Sequence, residues 1–472
     1  MTSVRPTRTE HDLLGDHEVP ADAYYGVHTA RALENFPISG VPISRHPDLV
    51  IALAAVKQAA AEANRQLGQL DDTTADAIIR ACTEIRGGAL HDQFVVDQIQ
   101  GGAGTSTNMN ANEVIANRAC ELLGHDRGAY RMVHPLEHVN LGQSTNDVYP
   151  TAVKIALGTA TRTLEQALRG LADHCSTKSL EFADMLKLGR TQLQDAVPMT
   201  LGQEFGAFAV TIIEDADRLR EASALIAEIN LGGTAIGTGL NTHPRYAALV
   251  CERLRALTGL PLTTAGNLVE ATSDVGAFVQ LSGVAKRSAV KLSKICNDLR
   301  LLSSGPRAGF GEINLPPVQA GSSIMPGKVN PVIPEVVNQV AFEVIGNDLT
   351  VTMAAESGQL QLNAFEPIIA RALLSSLTHL TAAVAVLGDR CIAGITANAD
   401  RMRQAVLQSA SIATALNPVL GYEAATALVA EAIATGASIP ELVRRSALVD
   451  DAVLDRVFSP ENLCRPNDPL RR

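Results

Sequence analysis

The residues best suited to chemistry lie in one glycine- and serine-rich stretch, residues 321–331, which reads GSSIMPGKVNP. It combines a flexible Gly-Ser-Ser turn, a lone Lys328 between glycine and valine, and Asn330 directly before a proline. This composition is poor for a purely structural segment. Hydroxyl, amide and ammonium groups held close together can bind a carboxylate. The stretch therefore predicts a site for an anionic substrate.

Two further loops concentrate hydroxyls, amides and glycines between predicted helices. The first, residues 101–108, precedes a helix predicted at residues 112–123. Two interpretations of this loop are equally good. It is either a glycine-rich helix start with an N-cap, or an anion-binding site made of backbone N–H and hydroxyl donors. The second, residues 142–147, is followed by Pro150 in the first turn of another predicted helix. Capping needs only one polar residue, so this run of hydrogen-bonding side chains favours a ligand.

Long amphipathic helices are predicted to position these loops. Apolar residues recur at steps of three and four along residues 201–229 and 278–302, with few helix breakers. Each stripe would span on the order of 40 Å at about 1.5 Å per residue. Helices of this length with a narrow apolar seam need partners on more than one side. We therefore expect an all-α bundle, and an oligomer packed through it.

Changes in the helical pattern divide the chain into three predicted domains. Residues 1–142 mix proline and glycine turns with shorter helices, for example at residues 49–64. Residues 143–399 contain the long helices, and residues 400–472 contain short alanine-rich helices broken by proline and glycine. Strand signals are few. The pattern predicts an N-terminal domain, a central helical bundle and a small C-terminal domain.

Composition and charge narrow the possible functions. The net charge of -11 argues against binding to nucleic acid or to an anionic membrane, because both need basic patches. The seven cysteines are scattered, so we expect reduced, mostly buried thiols and no metal site. Residues 1–16 lack an apolar core, and no run approaches the roughly 20 apolar residues of a spanning helix. We expect a cytoplasmic protein.

Residues 321–331 resemble the signature of the aspartase/fumarase superfamily. The resemblance covers nearly the whole chain, including the loops at Thr105 and Ser144 and the tracts at residues 232–241 and 295–316. It implies an all-α fold of three domains and a homotetramer whose central helices form a twenty-helix core. Each active site of such a tetramer is assembled from three subunits.

The N-terminal run at residues 19–29, followed by Arg31 and the residues Glu34-Asn35-Phe36, is similar to the aspartase branch of the superfamily. Fumarases usually have Gly-Ala-Gln-Thr where this chain has Gly-Val-His-Thr. The resemblance implies reversible deamination of L-aspartate to fumarate and ammonia. A fumarase, which adds water to the same olefin, is the closest alternative, since both enzymes bind two carboxylates.

By resemblance, Ser322 is the catalytic base that removes a proton from Cβ of aspartate. The proton is weakly acidic until the adjacent carboxylate can accept two charges as an aci-carboxylate, and preorganised neutral donors stabilise that state. The implied β-carboxylate ligands are Thr105, Ser144, Thr145 and Ser323. The implied α-carboxylate ligands are Thr191, Lys328 and Asn330. Asn146 would contact the leaving amino group.

One position departs from the common superfamily pattern. Many members read Gly-Arg-Thr-His where this chain has Gln192 after Thr191, so a histidine is not available there. Gln192 stays a candidate substrate-binding residue of open role. No metal-ligand constellation is visible in the sequence, so we expect no cofactor and no catalytic metal, while the resemblance leaves activation by a divalent cation open.

Other classes fit the sequence less well. Argininosuccinate and adenylosuccinate lyases eliminate larger groups and do not show this N-terminal run. A dinucleotide-binding oxidoreductase could be proposed from the glycines at residues 102–104 or 237–239, but neither set follows a convincing strand. A catalytically silent protein of the same fold is disfavoured by the intact set of Ser322, Lys328 and Asn330.

Overall fold

The computed structural model describes residues 6–466, and α-helices dominate this part of the chain. The all-α prediction is confirmed. The helices are α1 (Val27–Asn35), α2 (Pro47–Gln66), α3 (Asp72–Arg86), α4 (Thr105–Leu122), α5 (Thr145–Glu181), α6 (Leu201–Ile226), α7 (Tyr246–Thr258), α8 (Leu268–Ser273), α9 (Gly276–Leu302), α10 (Val332–Glu356), α11 (Glu366–Arg390), α12 (Ala399–Gln408), α13 (Asn417–Leu420), α14 (Tyr422–Thr435), α15 (Ile439–Ser446), α16 (Asp451–Val457) and α17 (Pro460–Cys464).

The strands are short and form two-stranded sheets. They are β1 (Thr7–Asp12), β2 (Gly15–Pro20), β3 (Leu186–Thr191), β4 (Gln194–Thr200), β5 (Glu228–Ile229), β6 (Thr263–Thr264), β7 (Ile313–Asn314) and β8 (Thr396–Ala397). The pairs β1–β2, β3–β4 and β7–β8 are antiparallel, whereas β5–β6 is parallel. The N-terminal stretch that lacks an apolar core, residues 1–16, contains all of β1 and the start of β2. Its residues 1–5 lie outside the described residues.

The two long apolar stripes are helices, as their periodicity predicts. Helix α6 spans Leu201–Ile226 and α9 spans Gly276–Leu302, and both bury their stripe residues, whereas Ile229 at the end of the first stripe lies in β5. Helix α4 differs from the prediction, because it begins at Thr105 rather than near residue 112. Its first turns are polar but buried, with Asn108, Asn110 and Asn112 all less than 2% exposed. A polar run without apolar periodicity predicts a loop. In the structure, hydrogen bonds to buried partners keep this run helical.

The first of two compact units comprises the described residues up to 166, residues 216–289 and residues 340–381. Helices α2, α3, α4 and α7 pack together in it. The centre of α2 is almost wholly alanine, leucine and valine, and these side chains are buried. Small side chains let the helices approach closely, which suits a chain with only 3% aromatic residues.

The second unit comprises residues 167–215, 290–339 and the described residues from 382. It contains the β3–β4 hairpin and the short C-terminal helices. Their apolar residues form one buried cluster that includes Val406, Leu416, Ile439 and Val443. The three-domain division at residues 142 and 399 stays a prediction.

One stretch within residues 6–466, Glu366–Gly394, is long and apolar enough by length and composition to cross a membrane. The bent pair α14 and α15 passes the same test only when its two helices are counted together. The expectation that no run approaches this composition was therefore too strict. Of the apolar window in the longer stretch, 56% is buried inside the protein, and core helices of soluble proteins pass the same test.

Candidate active site

The starts of α4 and α5 lie against each other in the first unit. Gly104, the N-cap residue of α4, has a left-handed φ of 91°. A Cβ atom at this position would lie 2.5 Å from the ring of Tyr149 in α5, so only glycine permits the close approach. Thr105, the first residue of α4, is thereby held near the start of α5, where Ser144 and Thr145 lie.

Hydrogen bonds define the loop at the start of α5. Oγ1 of Thr145 accepts a hydrogen bond from Nδ2 of Asn108 at 3.1 Å. Oγ of Ser144 accepts one from the backbone N–H of Asn146 at 3.2 Å. Nδ2 of Asn146 donates to the carbonyl of Ala235 at 2.8 Å. Because Nδ2 of Asn146 donates to Ala235, the Oδ1 atom on the opposite side of the amide is available as a hydrogen-bond acceptor.

Asp147 clamps this loop to a distant glycine-rich segment. Its Oδ1 accepts from the backbone N–H of Ser144 at 2.9 Å. Its Oδ2 accepts from the N–H groups of Gly232 and Thr234 at 3.0 and 2.9 Å. Burial raises the pKa of Asp147 to about 6, although these three donors oppose part of the rise. Sequence analysis placed Asp147 in the loop at residues 142–147 but missed its hydrogen bonds to residues 232–234.

Lys57 is a fully buried lysine that is hydrogen-bonded to the same loop. Its Nζ donates to Oδ1 of Asn140 at 2.8 Å and to Oε1 of Gln143 at 2.9 Å. Burial lowers the pKa of Lys57 to about 7, and the negative charge of Asp147 opposes part of this shift. Sequence reasoning missed Lys57. A signal was present, since this lysine interrupts the apolar run at residues 49–56.

Thr191 and Gln192 lie at the tip of the β3–β4 hairpin in the second unit. Thr191 pairs with Gln194, so Gln192 and Leu193 form the two-residue turn. Both turn residues have left-handed φ angles, 52° and 64°, as a type I′ hairpin turn requires. This conformation is unfavourable for a residue that is not glycine, and such strain is concentrated at functional sites in proteins.

A buried ion-pair network supports this hairpin. The Glu312 carboxylate lies 2.6 Å from Nη1 of Arg190 and 3.1 Å from Nζ of Lys187. Lys187 also lies 2.5 Å from Glu204 in α6. Glu312 and Lys187 are both less than 5% exposed, so the charges compensate each other away from water. The network fixes the base of the strand that ends at Thr191.

Ser322 is held by its own loop. Its Oγ accepts hydrogen bonds from the backbone N–H groups of Ile324 at 3.1 Å and Met325 at 2.9 Å. Ser322 itself is half-buried, whereas Ser323 and the residues up to Val329 are exposed. Two backbone donors directed at one hydroxyl oxygen favour negative charge on that oxygen.

The two ends of the Ser322 loop are tied together. The N–H of Gly321 donates to the carbonyl of Lys328 at 2.8 Å, and Nδ2 of Asn330 donates to the carbonyl of Gly321 at 2.7 Å. A Cβ atom on Gly321 would lie 2.7 Å from the backbone nitrogen of Asn330. Glycine at 321 is therefore required for this closure.

Lys328 and Asn330 line an open cavity of about 740 Å³ in the second unit. The guanidinium-bearing Arg300 and the amides Asn314 and Asn398 lie on its other walls. The cavity offers cations and amide groups but, among its lining residues, no carboxylate. This lining can hold an anionic ligand.

The site residues expected from the sequence fall into two groups. The first unit carries Thr105, Ser144, Thr145 and Asn146. The second unit carries Thr191, Gln192, Ser322, Ser323, Lys328 and Asn330. The structure brings the Thr105 and Ser144 loops together, and it closes the loop that carries Ser322 and Asn330. The roles of all ten residues stay predictions.

Residues 6–466 contain no group of three or more His, Cys, Asp or Glu side chains arranged to hold a metal ion. The seven cysteines are free thiols, of which six are buried and Cys464 is half-buried. Burial raises the pKa of Cys82, Cys175, Cys296 and Cys391, so these thiols are held in their neutral form.

Comparisons with known proteins extend over the whole chain. A family model described as Lyase matches residues 15–346, and one described as Fumarase C C-terminus matches residues 412–465. An aspartate ammonia-lyase of Pseudomonas aeruginosa is 59% identical over 473 residues, covering 100% of both chains.

Solved structures agree with this relationship. A fumarate lyase:delta crystallin from Brucella melitensis, bound to cobalt, is 56% identical with a TM-score of 0.95, covering 98% of this chain and 100% of that one. A class II fumarase from Schistosoma mansoni is 35% identical with a TM-score of 0.92 at the same coverage. With its loops, fold and relatives in agreement, the chain belongs to the lyase family of the aspartase/fumarase superfamily that contains the aspartate ammonia-lyases.

Proposed function

We propose that this chain converts L-aspartate reversibly to fumarate and ammonia, with Ser322 as the base. The relative of Pseudomonas aeruginosa, named an aspartate ammonia-lyase, supports this reaction because the two chains are 59% identical over their full lengths. One observation carries the choice of base. Oγ of Ser322 accepts two backbone N–H hydrogen bonds, which stabilise the alkoxide form that can remove a proton from carbon.

The reaction has two steps. The Ser322 alkoxide takes a proton from Cβ of aspartate, and the electron pair of the C–H bond moves into the adjacent carboxylate to give an aci-carboxylate with two negative charges. That pair then returns to form the Cα=Cβ bond while the C–N bond breaks. The protonated amino group leaves as ammonia with the C–N electrons, so no additional acid is needed.

Neutral donors and one cation hold the two carboxylates in this proposal. The β-carboxylate is bound by Thr105, Ser144, Thr145 and Ser323. The α-carboxylate is bound by Thr191, Lys328 and Asn330. Hydroxyl donors suit the β-carboxylate because their dipoles are already oriented when its second charge develops. The exposed ammonium of Lys328 fixes which carbon faces the base.

The amino group is bound by Asn146. Its Nδ2 is engaged with the carbonyl of Ala235, which leaves Oδ1 to accept a hydrogen bond from an ammonium group. An acceptor at this position favours a substrate amino group. Gln192, at the exposed hairpin turn, contacts the substrate where many superfamily members have histidine.

The assembly in this proposal is a cytoplasmic homotetramer whose active sites are shared between subunits. Helix α10 supports it, because Phe342, Leu349 and Met353 lie on one face of the helix and are 64%, 61% and 63% exposed. An exposed apolar face of this kind marks an interaction surface. The chemistry requires no cofactor, and activity with EDTA and with added Mg²⁺ tests activation by a divalent cation. Light scattering on the purified chain tests the tetramer.

Ultraviolet absorbance of fumarate tests the reaction. Purified protein receives L-aspartate in one cuvette and L-malate in another. Fumarate from aspartate alone is the expected result. Fumarate from malate alone would mean a fumarase and would show the assignment of Asn146 to be wrong. If the absorbance changes in neither cuvette, both reactions are contradicted.

A further inference from the structure

A chain of hydrogen bonds connects the buried Lys57 to the half-buried Thr145. Nζ of Lys57 donates to Oδ1 of Asn140 at 2.8 Å. Nδ2 of Asn108 donates to the same oxygen at 3.2 Å and to Oγ1 of Thr145 at 3.1 Å. Lys57 and Asn108 are 0% and 1% exposed, whereas Asn140 and Thr145 are half-buried. The chain begins at a buried cation and ends at a hydroxyl of the candidate site.

The direction of every bond in this chain follows from Lys57. An ammonium group has only donors, so Asn140 must turn its oxygen toward Lys57. Its own Nδ2 then donates to the carbonyl of Gln143 at 3.2 Å. A neutral Lys57 amine would still have two N–H bonds for its two acceptors, Asn140 and Gln143. The orientation of Asn140 therefore does not depend on the protonation of Lys57.

The orientation of the Asn108 amide group is also fixed. Its amide nitrogen faces Oδ1 of Asn140 at 3.2 Å. Exchanging the nitrogen and oxygen of Asn108 would place two carbonyl oxygens in contact, which is repulsive. Asn108 consequently presents N–H to Thr145. The Thr145 oxygen accepts, and its own hydroxyl proton is left to be donated elsewhere.

We propose that Lys57, Asn140 and Asn108 are positioning residues that set the Thr145 hydroxyl as a hydrogen-bond donor toward the β-carboxylate of the substrate. The inference rests on the proposed function, since it takes Thr145 as a ligand of that carboxylate. A carboxylate only accepts hydrogen bonds, and an aci-carboxylate with two charges binds a donor more strongly. A hydroxyl oriented in advance needs no reorganisation during the reaction.

A double-mutant cycle separates this role from a purely structural one. The substitutions are Asn108→Ala and Thr145→Val, made singly and together, and kcat/KM for L-aspartate is measured for all four full-length proteins. If Asn108 acts through Thr145, Asn108→Ala lowers kcat/KM by roughly 10- to 100-fold in the wild-type background. In the Thr145→Val background it lowers kcat/KM by less than about twofold.

Asn110→Ala is the matched control. Asn110 lies in the same helix and is 0% exposed, but its amide bonds only to the backbone of Val95 and Gln93. Asn110→Ala is expected to lower the thermal midpoint while leaving kcat/KM within about twofold of wild type. The contrast with Asn108→Ala shows that losing a buried amide in α4 does not by itself impair catalysis.

Several outcomes would overturn the proposal. Losses in kcat/KM that multiply in the double variant, or a normal kcat/KM for Asn108→Ala, would mean that Asn108 does not act through Thr145. If Asn108→Ala does not fold, Lys57→Met replaces it in the same cycle, because Met fits a buried apolar position. A wild-type protein that makes no fumarate from aspartate would contradict the proposed function itself, whereas an active wild type with multiplying losses contradicts only the positioning role.

Discussion

The carboxylate of Asp147 and the backbone N–H of Gly232 are joined by a buried hydrogen bond of 3.0 Å. The two residues are 85 positions apart in the chain. The same carboxylate also holds the N–H of Ser144, so one side chain ties the start of α5 to the segment at residues 232–234. The position of Ser144 and Thr145 therefore depends on a segment that contributes no proposed substrate ligand.

Asp147→Asn should impair catalysis without unfolding the protein. An amide can accept only through its oxygen, so one side of the clamp loses its acceptor and gains a donor opposite an N–H group. We expect kcat/KM for aspartate to fall roughly 10- to 100-fold with helical circular dichroism unchanged. Asp71→Asn is the control, since Asp71 is an N-cap outside the site where Asn caps equally well. An unaffected Asp147→Asn enzyme would show that the clamp does not position the loop.

Gly237→Ala should be strongly destabilising. Gly237 has a φ of 90°, and a Cβ atom there would lie 2.3 Å from the backbone oxygen of Leu268. Gly259 also has a left-handed φ, 64°, but has open space around its Cα. Gly259→Ala should cost only the roughly 1–2 kcal/mol of the left-handed conformation, and Gly237→Ala on the order of 3 kcal/mol or more. Equal thermal midpoints for the two variants would contradict the clash.

Ser322→Ala should lower turnover with aspartate by roughly 10² to 10⁴, the usual contribution of a positioned base. The proposed tetramer should be unaffected, because Ser322 is half-buried in a loop and its hydroxyl is hydrogen-bonded within that loop. Stopped-time fumarate assays and light scattering measure the two quantities. Near-normal turnover would remove Ser322 from the role of base.

Lys328→Ala should mainly raise KM for aspartate, because in the proposed function its exposed ammonium binds the α-carboxylate in both the ground state and the transition state. Removing a charge-assisted hydrogen bond should raise KM by about 10-fold or more. Lys286→Ala, which removes an ammonium paired with Asp348, serves as the control for loss of a positive charge. Unchanged KM and kcat in Lys328→Ala would place the carboxylate anchor elsewhere.

Glu366 should make stability depend on pH. Burial raises its pKa from 4.5 to about 8, and the charge of Lys154 opposes part of this rise. Between these pH values the folded protein keeps a proton that the unfolded chain has lost, so the contribution of Glu366 to stability is lost as pH rises toward 8. Glu366→Gln cannot lose a proton. Its thermal midpoint relative to wild type should increase between pH 5 and pH 8, by an amount corresponding to a few kcal/mol. A constant difference would contradict the buried titration.

Local features of the sequence were sufficient to predict the long helices and to indicate the family. The apolar periodicity of residues 201–229 and 278–302 predicted α6 and α9, because a helix repeats its buried face within a few residues. The motif around Ser322 and Lys328 indicated the family because all of its residues lie in one short segment of the sequence. The start of α4 was missed because its buried asparagines find their partners in other segments.

The sequence by itself thus determined the long helices and the family, both of which depend on neighbouring positions in the chain, while the candidate site residues stay predictions. Only the tertiary structure decided which buried polar groups support them. Lys57 meets Asn140, and Asp147 meets Gly232, across 83 and 85 positions of sequence. The physical reason is that a buried donor or acceptor must form a hydrogen bond with whichever group packing brings within about 3 Å. Packing joins distant segments, and the local pattern of one segment does not predict which other segment it will contact.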